Sequence, residues 1–348
     1  MTLPRRILVV RNDKLGDFTL ALPVCELLRR ELPGAHVTVL TPEYTREVAE
    51  LAPGIDDVLI DQGPERAGGS AGELARAIRE RGFDASVTLF STVRVGLALF
   101  RARVPLRYAP ATKFGQFFHN RRVVQRRSES TQPEYEYNLD LARRLLADCG
   151  VTGDTSFTRP VLPLPAELVA ERRAALNATY DFDPSARLVM LHSGHGGSAN
   201  NLSVEQYARL ASALRSRDGH AFLCTAGPGE EDAAERLAAS IEDARACVYR
   251  SAGGLAAFVR TLAAGDLFIG GSTGPLHLAG ALDLRTVAFY PRRRTSSPLR
   301  WQPLNRDERR LAYAPPEPFD ERDLSGIDLD AVAREVSARF LDAAERPA

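Results

Sequence analysis

A glycine-rich segment in the C-terminal third of the chain combines residue types that could hold a phosphate. Residues 270–275 read Gly-Gly-Ser-Thr-Gly-Pro, after an apolar run and before a helical pattern. Glycine lets a backbone approach a ligand closely, and a helix N-terminus presents unpaired N–H groups to anions. Proline is favoured at the first helical position, which suits Pro275. The segment predicts a diphosphate site, although a tight strand-to-helix turn without a ligand would have the same sequence.

A second segment, near the N-terminus, carries two aspartates. Residues 11–17 read Arg-Asn-Asp-Lys-Leu-Gly-Asp, between an apolar run and a helical pattern. Asp17 lies at the expected helix start, where the helix dipole favours a carboxylate. Asp17 could act as a general base, or it could only cap the helix. Asp13 is a competing candidate for the base.

Several common active-site patterns are incomplete or absent. Residues 270–274 fit G-x-S-x-G, the nucleophile turn of α/β-hydrolases. The only histidine after Ser272 is His277, in the same expected helix, where it could not serve as the base of a triad. Neither a G-x-G-x-x-G after the first strand nor a P-loop occurs. His192 and His195 have no further ligands at metal-binding spacing, so we expect no metal site. The small residues around these two histidines instead predict a loop that could wrap a ligand.

Short apolar runs alternate with helical patterns through most of the chain, which is typical of parallel sheets covered on both faces. Strands are predicted at 7–10, 37–40, 58–60 and 85–89, with one helix over 17–30, and again at 188–191, 220–225, 246–248, 267–269 and 286–289. The proline-rich residues 152–165 predict a linker. The fold class is therefore α/β, with two Rossmann-like, doubly wound parallel-sheet domains that we expect to face an interdomain cleft. Ligands of such sheets bind beyond the carboxyl ends of the strands.

Length and charge narrow the class of protein. The 348 residues suggest two domains, and 45 basic against 45 acidic side chains give a net charge of zero, which argues against a general nucleic-acid binder. The four cysteines form no C-x-x-C pair, so we expect reduced thiols in a cytosolic protein. The N-terminal apolar run is too short for a signal peptide, and no stretch is apolar enough to predict a transmembrane segment.

The chemical segments resemble glycosyltransferase family 9, the lipopolysaccharide heptosyltransferases. Residues 11–23, RNDKLGDFTLALP, resemble the N-terminal motif of that family, and residues 272–282, STGPLHLAGAL, resemble its C-terminal signature. Residues 192–210 and the Arg-Trp-Gln-Pro element at 300–303 resemble two further family segments. The resemblance runs in order over roughly residues 5–305.

The resemblance implies a GT-B fold and inverting sugar transfer from a nucleotide-sugar, ADP-heptose in most of the family, with no required metal and no cofactor. Residues 1–160 would form the N-terminal acceptor-binding domain and residues 161–326 the C-terminal donor-binding domain. Residues 327–348 would form a terminal helix that could pack back toward the N-terminal domain. The acceptor would be the lipopolysaccharide inner core, a glycolipid at the inner membrane surface. The protein would be cytoplasmic and could be peripheral to the membrane.

The resemblance also assigns residue roles. The catalytic aspartate of the family falls on Asp17, which would be the general base. Backbone N–H groups of Thr273 and Gly274 would stabilise the departing diphosphate, and His277 could donate to a phosphate oxygen. We expect the donor to be bound by Ser193, Gly194, Asn200, Thr225, Gly227, Ser272, Thr273, Gly274, Pro275 and His277, and the acceptor by Asp13, Lys14, Arg121 and Arg122.

Two positions depart from the family pattern. The family's phosphate-neutralising lysine aligns with Asn200, and position 272 is serine where many members have aspartate. Another cation could do this work, such as one of the arginines at 292–294, or the donor could differ. Two alternatives therefore stay open: a non-catalytic nucleotide-sugar-binding protein of the same fold, and a glycosyltransferase for another glycan such as an O-antigen, a capsule or a natural product.

Arginines are concentrated in the N-terminal half. They include Arg101, Arg103, Arg107, Arg121, Arg122, Arg126 and Arg127. A phosphorylated acceptor or an anionic membrane would suit them, and a solvated face balanced by nearby glutamates is the alternative. Phe114, Phe117 and Phe118 lie among them and are expected in the core.

Overall fold

The protein is described from a computed structural model, which describes residues 3–66, 69–194, 200–242, 244–250, 253–317 and 320–342. The chain divides into two compact units, residues 1–162 and 163–348. The division lies two residues beyond the 160/161 boundary expected from the sequence, and within the expected proline-rich linker. Each unit is described by itself below.

Unit 1 is built on a parallel sheet in the strand order β3-β2-β1-β4-β5-β6. Its strands are β1 (Arg6–Val10), β2 (His36–Thr41), β3 (Asp57–Ile60), β4 (Ala85–Thr88), β5 (Leu106–Pro110) and β6 (Arg121–Val123). Val10, the last residue of β1, pairs with Leu40 on one side and Thr88 on the other. The ends of β1, β2 and β4 are therefore level, and the loops that follow them share one edge of the sheet.

Helices flank this sheet. They are α1 (Leu15–Thr19), α2 (Leu22–Glu31), α3 (Arg46–Leu51), α4 (Ala71–Arg81), α5 (Val93–Arg101) and α6 (Glu134–Asp148). Leu8 and Val10 pack against α4 and α5, whereas their neighbours Ile7 and Val9 are buried on the opposite face. Both faces of the sheet are thus covered, which is why β1 is continuously apolar.

The single helix expected over 17–30 is in fact two. α1 ends at Thr19, and α2 begins at Leu22 with Pro23 in its first turn. Proline lacks an N–H and its ring clashes with the preceding turn, so Pro23 starts a helix but does not continue one. The break leaves a short helix at the end of β1 that carries Asp17.

Unit 2 repeats the architecture, with a parallel sheet in the order β12-β11-β10-β7-β8-β9. Its strands are β7 (Arg187–His192), β8 (His220–Thr225), β9 (Arg245–Tyr249), β10 (Leu267–Gly271), β11 (Arg285–Phe289) and β12 (Arg310–Tyr313). Its helices are α7 (Ala166–Tyr180), α8 (Val204–Ala213), α9 (Glu231–Ala239), α10 (Gly254–Ala263), α11 (Gly274–Ala281) and α12 (Leu329–Val336). The α/β prediction of two Rossmann-like sheets is confirmed.

The terminal helix α12 packs within unit 2. Leu329, Val332 and Val336 share the apolar core that Tyr207 and Leu210 of α8 enter. The backbone continues as a π-helical turn over Ser337–Leu341, and Arg285 of β11 donates to the Phe340 carbonyl oxygen at 2.8 Å. These contacts place α12 in the core of unit 2, and the expectation that residues 327–348 could pack toward the N-terminal domain stays a prediction.

In the part of the chain that the structure describes, no helix combines the length and the apolar character needed to cross a bilayer.

Candidate functional site

Arg11 organises a cluster of carboxylates at the end of β1. Its side chain is buried, and its Nε donates to Asp13 Oδ1 at 2.8 Å while Nη1 donates to Glu134 Oε1 at 3.2 Å. Nη2 forms an ion pair with Asp17. A buried charge is tolerated only when it is paired and hydrogen-bonded, and this guanidinium is paired on all three nitrogens. The cluster brings the two sequence-predicted aspartates to one group.

The first turn of α6 holds Arg11 from the other side. Glu134 begins this helix, is buried, and also accepts from Arg127 Nη1 at 2.6 Å. Asn138, one turn later, accepts from Arg11 at 3.5 Å and donates to the Leu20 carbonyl oxygen at 3.1 Å. Sequence reasoning missed Glu134 and Asn138 because nothing local in α6 indicates that its first turn packs beside β1.

Burial sets the proton affinity of the aspartates. Burial raises the pKa of Asp17 to about 6. The charge of Arg11 lowers this pKa, and the carboxylates of Asp13 and Glu134 raise it again. Burial also raises the pKa of Asp13. A carboxyl that titrates near neutrality is suited to general-base catalysis. Asp17 therefore has the property that a base needs.

The capping role considered for Asp17 does not apply. The N-cap residue of α1 is Lys14, and Asp17 lies in the first turn of that helix. Lys14 itself is exposed at the edge of the carboxylate cluster. Tyr44, which follows β2, donates to the Asp13 carbonyl oxygen at 2.7 Å and so fixes the backbone of the loop.

An aromatic ring connects this cluster to the next loops of the same edge. Phe90 follows β4, and its ring centroid lies 6.0 Å from the Arg11 guanidinium carbon. The Lys113 ammonium nitrogen, which follows β5, lies 5.6 Å from the same ring centroid. The ring therefore contacts two cations, one buried and one on the adjoining loop.

The predicted acceptor-binding arginines of β6 are not brought to Asp17. Arg121 pairs with Asp148 at 3.4 Å, at the far end of α6 from Glu134, about 21 Å along a helix axis that rises 1.5 Å per residue. Arg122 is exposed, and successive side chains of a strand point to opposite faces. The structure therefore does not bring Arg121 to Asp17, and the binding of the acceptor by Arg121 and Arg122 stays a prediction.

In unit 2 the glycine-rich segment joins β10 to α11, as predicted. The half-buried Ser272 follows β10, and Thr273 is the N-cap residue of α11. The Thr273 N–H donates to the Gly271 carbonyl oxygen at 2.8 Å, so it is engaged within the loop rather than presented to a ligand. Pro275 has no N–H, and the first N–H groups of a helix lack acceptors within it. Of the two backbone N–H groups expected to stabilise the diphosphate, the structure therefore favours that of Gly274.

Asn201 holds the neighbouring loop against this segment. Its amide nitrogen donates to the carbonyl oxygens of Ser193 at 2.9 Å and Gly194 at 3.2 Å, just after β7. Its Oδ1 accepts from the Tyr207 hydroxyl at 2.6 Å. A Cβ on Gly271 would lie only 2.6 Å from that oxygen. Sequence reasoning did not select Asn201, and so missed that it ties the loop after β7 to the end of β10.

The loop after β8 brings a carboxylate to the same edge. The Gly227 N–H donates to Glu230 Oε2 at 3.2 Å, and a Cβ on Gly194 would lie 1.9 Å from that oxygen. Both glycines therefore make room for Glu230, which sequence reasoning did not select. Thr225 is buried, and its hydroxyl shares a hydrogen bond of 3.0 Å with His192 Nδ1. Thr225 therefore orients His192, and its contact with the donor stays a prediction.

His277 is buried on α11 beside the Arg-Trp-Gln-Pro element. Burial lowers its pKa to about 4, and its ring centroid lies 6.3 Å from that of Trp301 in an edge contact. A Cβ on Gly280 would lie 2.6 Å from Pro303 Cβ, so this element packs closely on the helix. His277 is therefore neutral near pH 7 and could donate one N–H to a phosphate, without contributing a charge.

The position of the missing lysine is occupied by a structural amide. Asn200 donates to the Arg322 carbonyl oxygen at 2.8 Å. Among the arginines considered as substitutes, Arg292 pairs with Glu317 at 2.6 Å. Arg293 and Arg294 are exposed after β11, which lies beside β10. Arg293 and Arg294 are therefore better candidates than Arg292 to supply the charge of the missing lysine.

In the described ranges no cluster of three or more His, Cys, Asp or Glu side chains could hold a metal ion. Of the two histidines considered as ligands, His192 is buried and bonded to Thr225, and His195 lies outside the described residues.

Comparisons with known proteins identify the family of the chain. The family model for glycosyltransferase family 9 (heptosyltransferase) matches residues 71–318. A Haemophilus influenzae protein named as an unconfirmed glycosyltransferase is 38% identical over 340 residues, 95% of this chain and 96% of that protein. Lipopolysaccharide heptosyltransferase 2 of Salmonella typhimurium is 24% identical over 82% of each chain.

The fold has a match among solved structures. The E. coli ADP-heptose lipopolysaccharide heptosyltransferase II superposes with a TM-score of 0.77 at 18% identity, over 97% of this chain and 98% of that one. This likeness supports the two-sheet GT-B fold. From the family match and the long alignment with the Haemophilus relative, the chain belongs to glycosyltransferase family 9 and is a glycosyltransferase.

Proposed function

We propose that the chain transfers a heptose, or a related sugar, from an ADP-sugar to the inner core of lipopolysaccharide or a similar glycan, with inversion at the anomeric carbon. The observation that carries the proposal is Asp17, a half-buried carboxylate in the first turn of α1 that pairs with Arg11, with its pKa raised to about 6. The names of the Salmonella and E. coli relatives support the heptose and the lipopolysaccharide acceptor.

Asp17 is the proposed general base. Its carboxylate takes the proton of an acceptor hydroxyl as that oxygen attacks the anomeric carbon of the donor. A new C–O bond forms on one face while the bond to the diphosphate breaks on the other, so the configuration inverts. The proton ends on Asp17 and the electron pair on the leaving diphosphate. Asp13 and Glu134 oppose the effect of Arg11 and keep Asp17 basic enough for this step.

The donor is assigned to the edge of unit 2 formed by Ser193, Gly194, Gly227 and the segment 272–275. The Gly274 N–H and the dipole of α11 would stabilise charge on the diphosphate. His277 would donate as a neutral imidazole, and Arg293 or Arg294 would supply the positive charge that Asn200 lacks. We propose that no metal ion and no cofactor are required, so transfer should persist in a chelator.

The setting proposed for this reaction is the cytoplasmic side of the inner membrane, with the protein peripheral to it. The proposed acceptor is a glycolipid, whose sugar and phosphate groups would meet the edge of unit 1 that carries Asp13, Lys14 and Asp17. Lys14 is exposed beside the base and could pair with an acceptor phosphate.

The decisive experiment compares Asp17→Asn with Asp13→Asn. Both variants remove one carboxylate from Arg11, so both change the same ion-pair network. We expect Asp17→Asn to lower the transfer rate at least about 100-fold and Asp13→Asn to lower it far less, because a general base contributes about 10²–10⁴-fold. Release of the nucleoside diphosphate in the presence of a purified inner-core acceptor measures the rate. Equal losses in the two variants would remove Asp17 as the base.

The donor is tested separately by thermal unfolding with ADP, UDP, GDP, CDP, dTDP and ADP-heptose. A ligand at 100 times its dissociation constant adds about 2.7 kcal/mol to the free energy of unfolding. We expect selective stabilisation by ADP and ADP-heptose. Stabilisation by another nucleotide would discard ADP-heptose while leaving the role of Asp17 untouched.

A further inference from the structure

The surface of α5 exposes an unusual number of apolar side chains. Phe114 and Phe117, in the 3-10 turn Phe114–Phe118, are 79% and 70% exposed, and Phe100 and Val93 on α5 are 55% and 50% exposed. The sequence-based expectation that Phe114 and Phe117 belong to the core is therefore wrong. These four side chains define what we call the α5 surface.

The 3-10 turn is seated firmly on α5. The Gly115 carbonyl oxygen would lie 3.1 Å from a Cβ on Gly96, and a Cβ on Gly115 would lie 2.7 Å from Ser91 Oγ, so both glycines permit a close approach. His119 shares a hydrogen bond of 3.1 Å with Ser91, and the Phe118 and Phe100 ring centroids are 6.2 Å apart. The two exposed phenylalanines are thus presented by a packed element.

A cluster of arginines adjoins the α5 surface. A cavity of about 750 Å³ is lined by Phe100 together with Arg76, Arg79, Arg101, Arg103 and Arg107. Arg107 donates to the Phe118 carbonyl oxygen at 2.8 Å, and its guanidinium carbon lies 5.6 Å from the Phe100 ring centroid. Phe100 therefore belongs to both regions, and the apolar and cationic surfaces are continuous.

These arginines lack acidic partners. Within the described ranges none of the five forms an ion pair with a carboxylate; Arg107 is half-buried and the other four are exposed. Arg79 and Arg107 bond to backbone carbonyl oxygens instead. Five guanidinium groups line this one cavity and no carboxylate of the described residues lines it with them, so the cavity would attract an external anion.

We propose that the α5 surface and its arginines dock unit 1 on a bilayer that contains anionic lipids. Exposed aromatic rings are favoured at the boundary between lipid and water, and unpaired arginines attract anionic headgroups. Neither feature alone selects a bilayer, because a nucleic acid would need only the charge. The two features meet at Phe100, which carries an exposed ring and also lines the arginine cavity, so one continuous surface offers both apolar and cationic groups to an anionic bilayer.

The proposed docking surface reaches the candidate base. Lys113 directly precedes the 3-10 turn, and its ammonium group contacts the same Phe90 ring as Arg11, the partner of Asp17. A bilayer on the α5 surface would therefore lie beside the edge at which we place the acceptor. This use of the surface rests on the proposed function, whereas binding to the bilayer does not.

The test is sedimentation of the full chain with vesicles of phosphatidylcholine alone or mixed equally with phosphatidylglycerol. We expect binding to the anionic vesicles and at least a tenfold weaker partition for Phe114→Ser/Phe117→Ser. Arg101→Gln/Arg103→Gln should lose about 25-fold, at roughly fivefold per basic residue, and should lose the preference for phosphatidylglycerol. The matched control is Leu168→Ser/Leu299→Ser, which alters two exposed leucines of unit 2 (41% and 44%) and should bind as the parent does.

Three results would overturn the proposal. They are no binding of the parent chain to anionic vesicles, unchanged binding of both unit 1 variants, and binding of nucleic acid in place of vesicles through the same arginines. Thermal unfolding of each variant checks the fold, which these exposed side chains should not affect.

Transfer assays separate this proposal from the proposed function. Phe114→Ser/Phe117→Ser should lose transfer to an acceptor held in vesicles yet keep transfer to a deacylated, water-soluble acceptor within about twofold. Asp17→Asn should instead lose transfer to both acceptors and bind vesicles as the parent does. Loss of both transfers in the phenylalanine variant would assign these residues to the reaction and contradict a docking role.

Discussion

Arg11 and Asp17 form an ion pair at the carboxyl end of β1, and both side chains are largely removed from water. The pairing alone would make Asp17 a weak base, since the charge of Arg11 lowers its pKa. Burial and the carboxylates of Asp13 and Glu134 act in the opposite direction and prevail. The three acidic groups around one guanidinium therefore matter for function, because they tune a single proton site.

The rate of transfer should fall on the acid side with a midpoint near pH 6. Asp17 acts as a base only when ionised, and its pKa is raised to about 6, so each pH unit below this value should lower the rate about tenfold. A pH profile of kcat/KM from pH 4.5 to 8 measures the limb. A profile that is flat down to pH 4.5 would contradict the assignment of Asp17.

Glu134→Gln should move this acid limb to lower pH. The Glu134 carboxylate raises the pKa of Asp17, so its neutralisation leaves Arg11 free to lower that pKa. The same change removes the anion between Arg11 and Arg127, and the loss of one member of a buried ion pair costs about 3–5 kcal/mol. The readouts are the pH profile and denaturant unfolding.

A matched variant separates tuning from packing in this experiment. Arg143→Gln alters a half-buried ion pair with Glu136 on the same helix, α6. It should leave the acid limb in place and lower stability by less than Glu134→Gln does, because both of its side chains keep contact with water. If Glu134 had a purely structural role, Glu134→Gln would lower stability and leave the acid limb of the pH profile where it is in the parent.

The arrangement of strands and the two chemical loops was predictable because both depend on local patterns. Continuous apolar runs such as 7–10 identify strands buried on both faces, and glycines at 270, 271 and 274 identify a strand-to-helix turn. Parallel strands then place their carboxyl ends at one edge. The motif residues Asp17 and Gly274 follow from this logic without tertiary information.

The partners of those residues were not predictable in the same way. Glu134 lies more than a hundred residues from Arg11, and Thr225 contacts His192 across two strands, so only the packed fold reveals these pairs. Arg121 was grouped with the acceptor site because of its charge and its position in the arginine-rich N-terminal half, and only the structure shows that it pairs with Asp148 at the far end of α6. Phe114 and Phe117 were assigned to the core by residue type, yet an aromatic side chain is exposed when a glycine-anchored turn presents it outward.

Gly271→Ala should disturb the donor edge of unit 2. Its new Cβ would lie 2.6 Å from Asn201 Oδ1, and Asn201 bonds to Ser193, Gly194 and Tyr207, so it cannot move without loss of hydrogen bonds. We expect a loss of about 1–3 kcal/mol in the free energy of unfolding, as for overpacked sites, and weaker nucleotide binding. Denaturant unfolding and nucleotide titration measure these effects.

Gly72→Ala is the control for that change. Gly72 lies in the first turn of α4, where the nearest atom to a new Cβ is Ser70 Oγ at 3.9 Å, an ordinary contact. Alanine there should be neutral or stabilise by up to about 1 kcal/mol, because it restricts the unfolded chain. Equal effects of the two substitutions would show that the contact with Asn201 is not what constrains Gly271.

Unit 2 should lose stability as the pH falls from about 6.5 to about 4. His192 and His277 are buried, and burial lowers the pKa of each to about 4. The unfolded chain therefore binds these protons at higher pH than the folded chain does, and each contributes a slope of about 1.4 kcal/mol per pH unit within that window. Trp301, the only tryptophan, contacts His277, so its fluorescence reports unfolding at this place. His277→Gln should remove the contribution of one histidine, about 1.4 kcal/mol per pH unit, from the slope of the unfolding free energy against pH. An unchanged slope would mean that His277 is already protonated in the folded state.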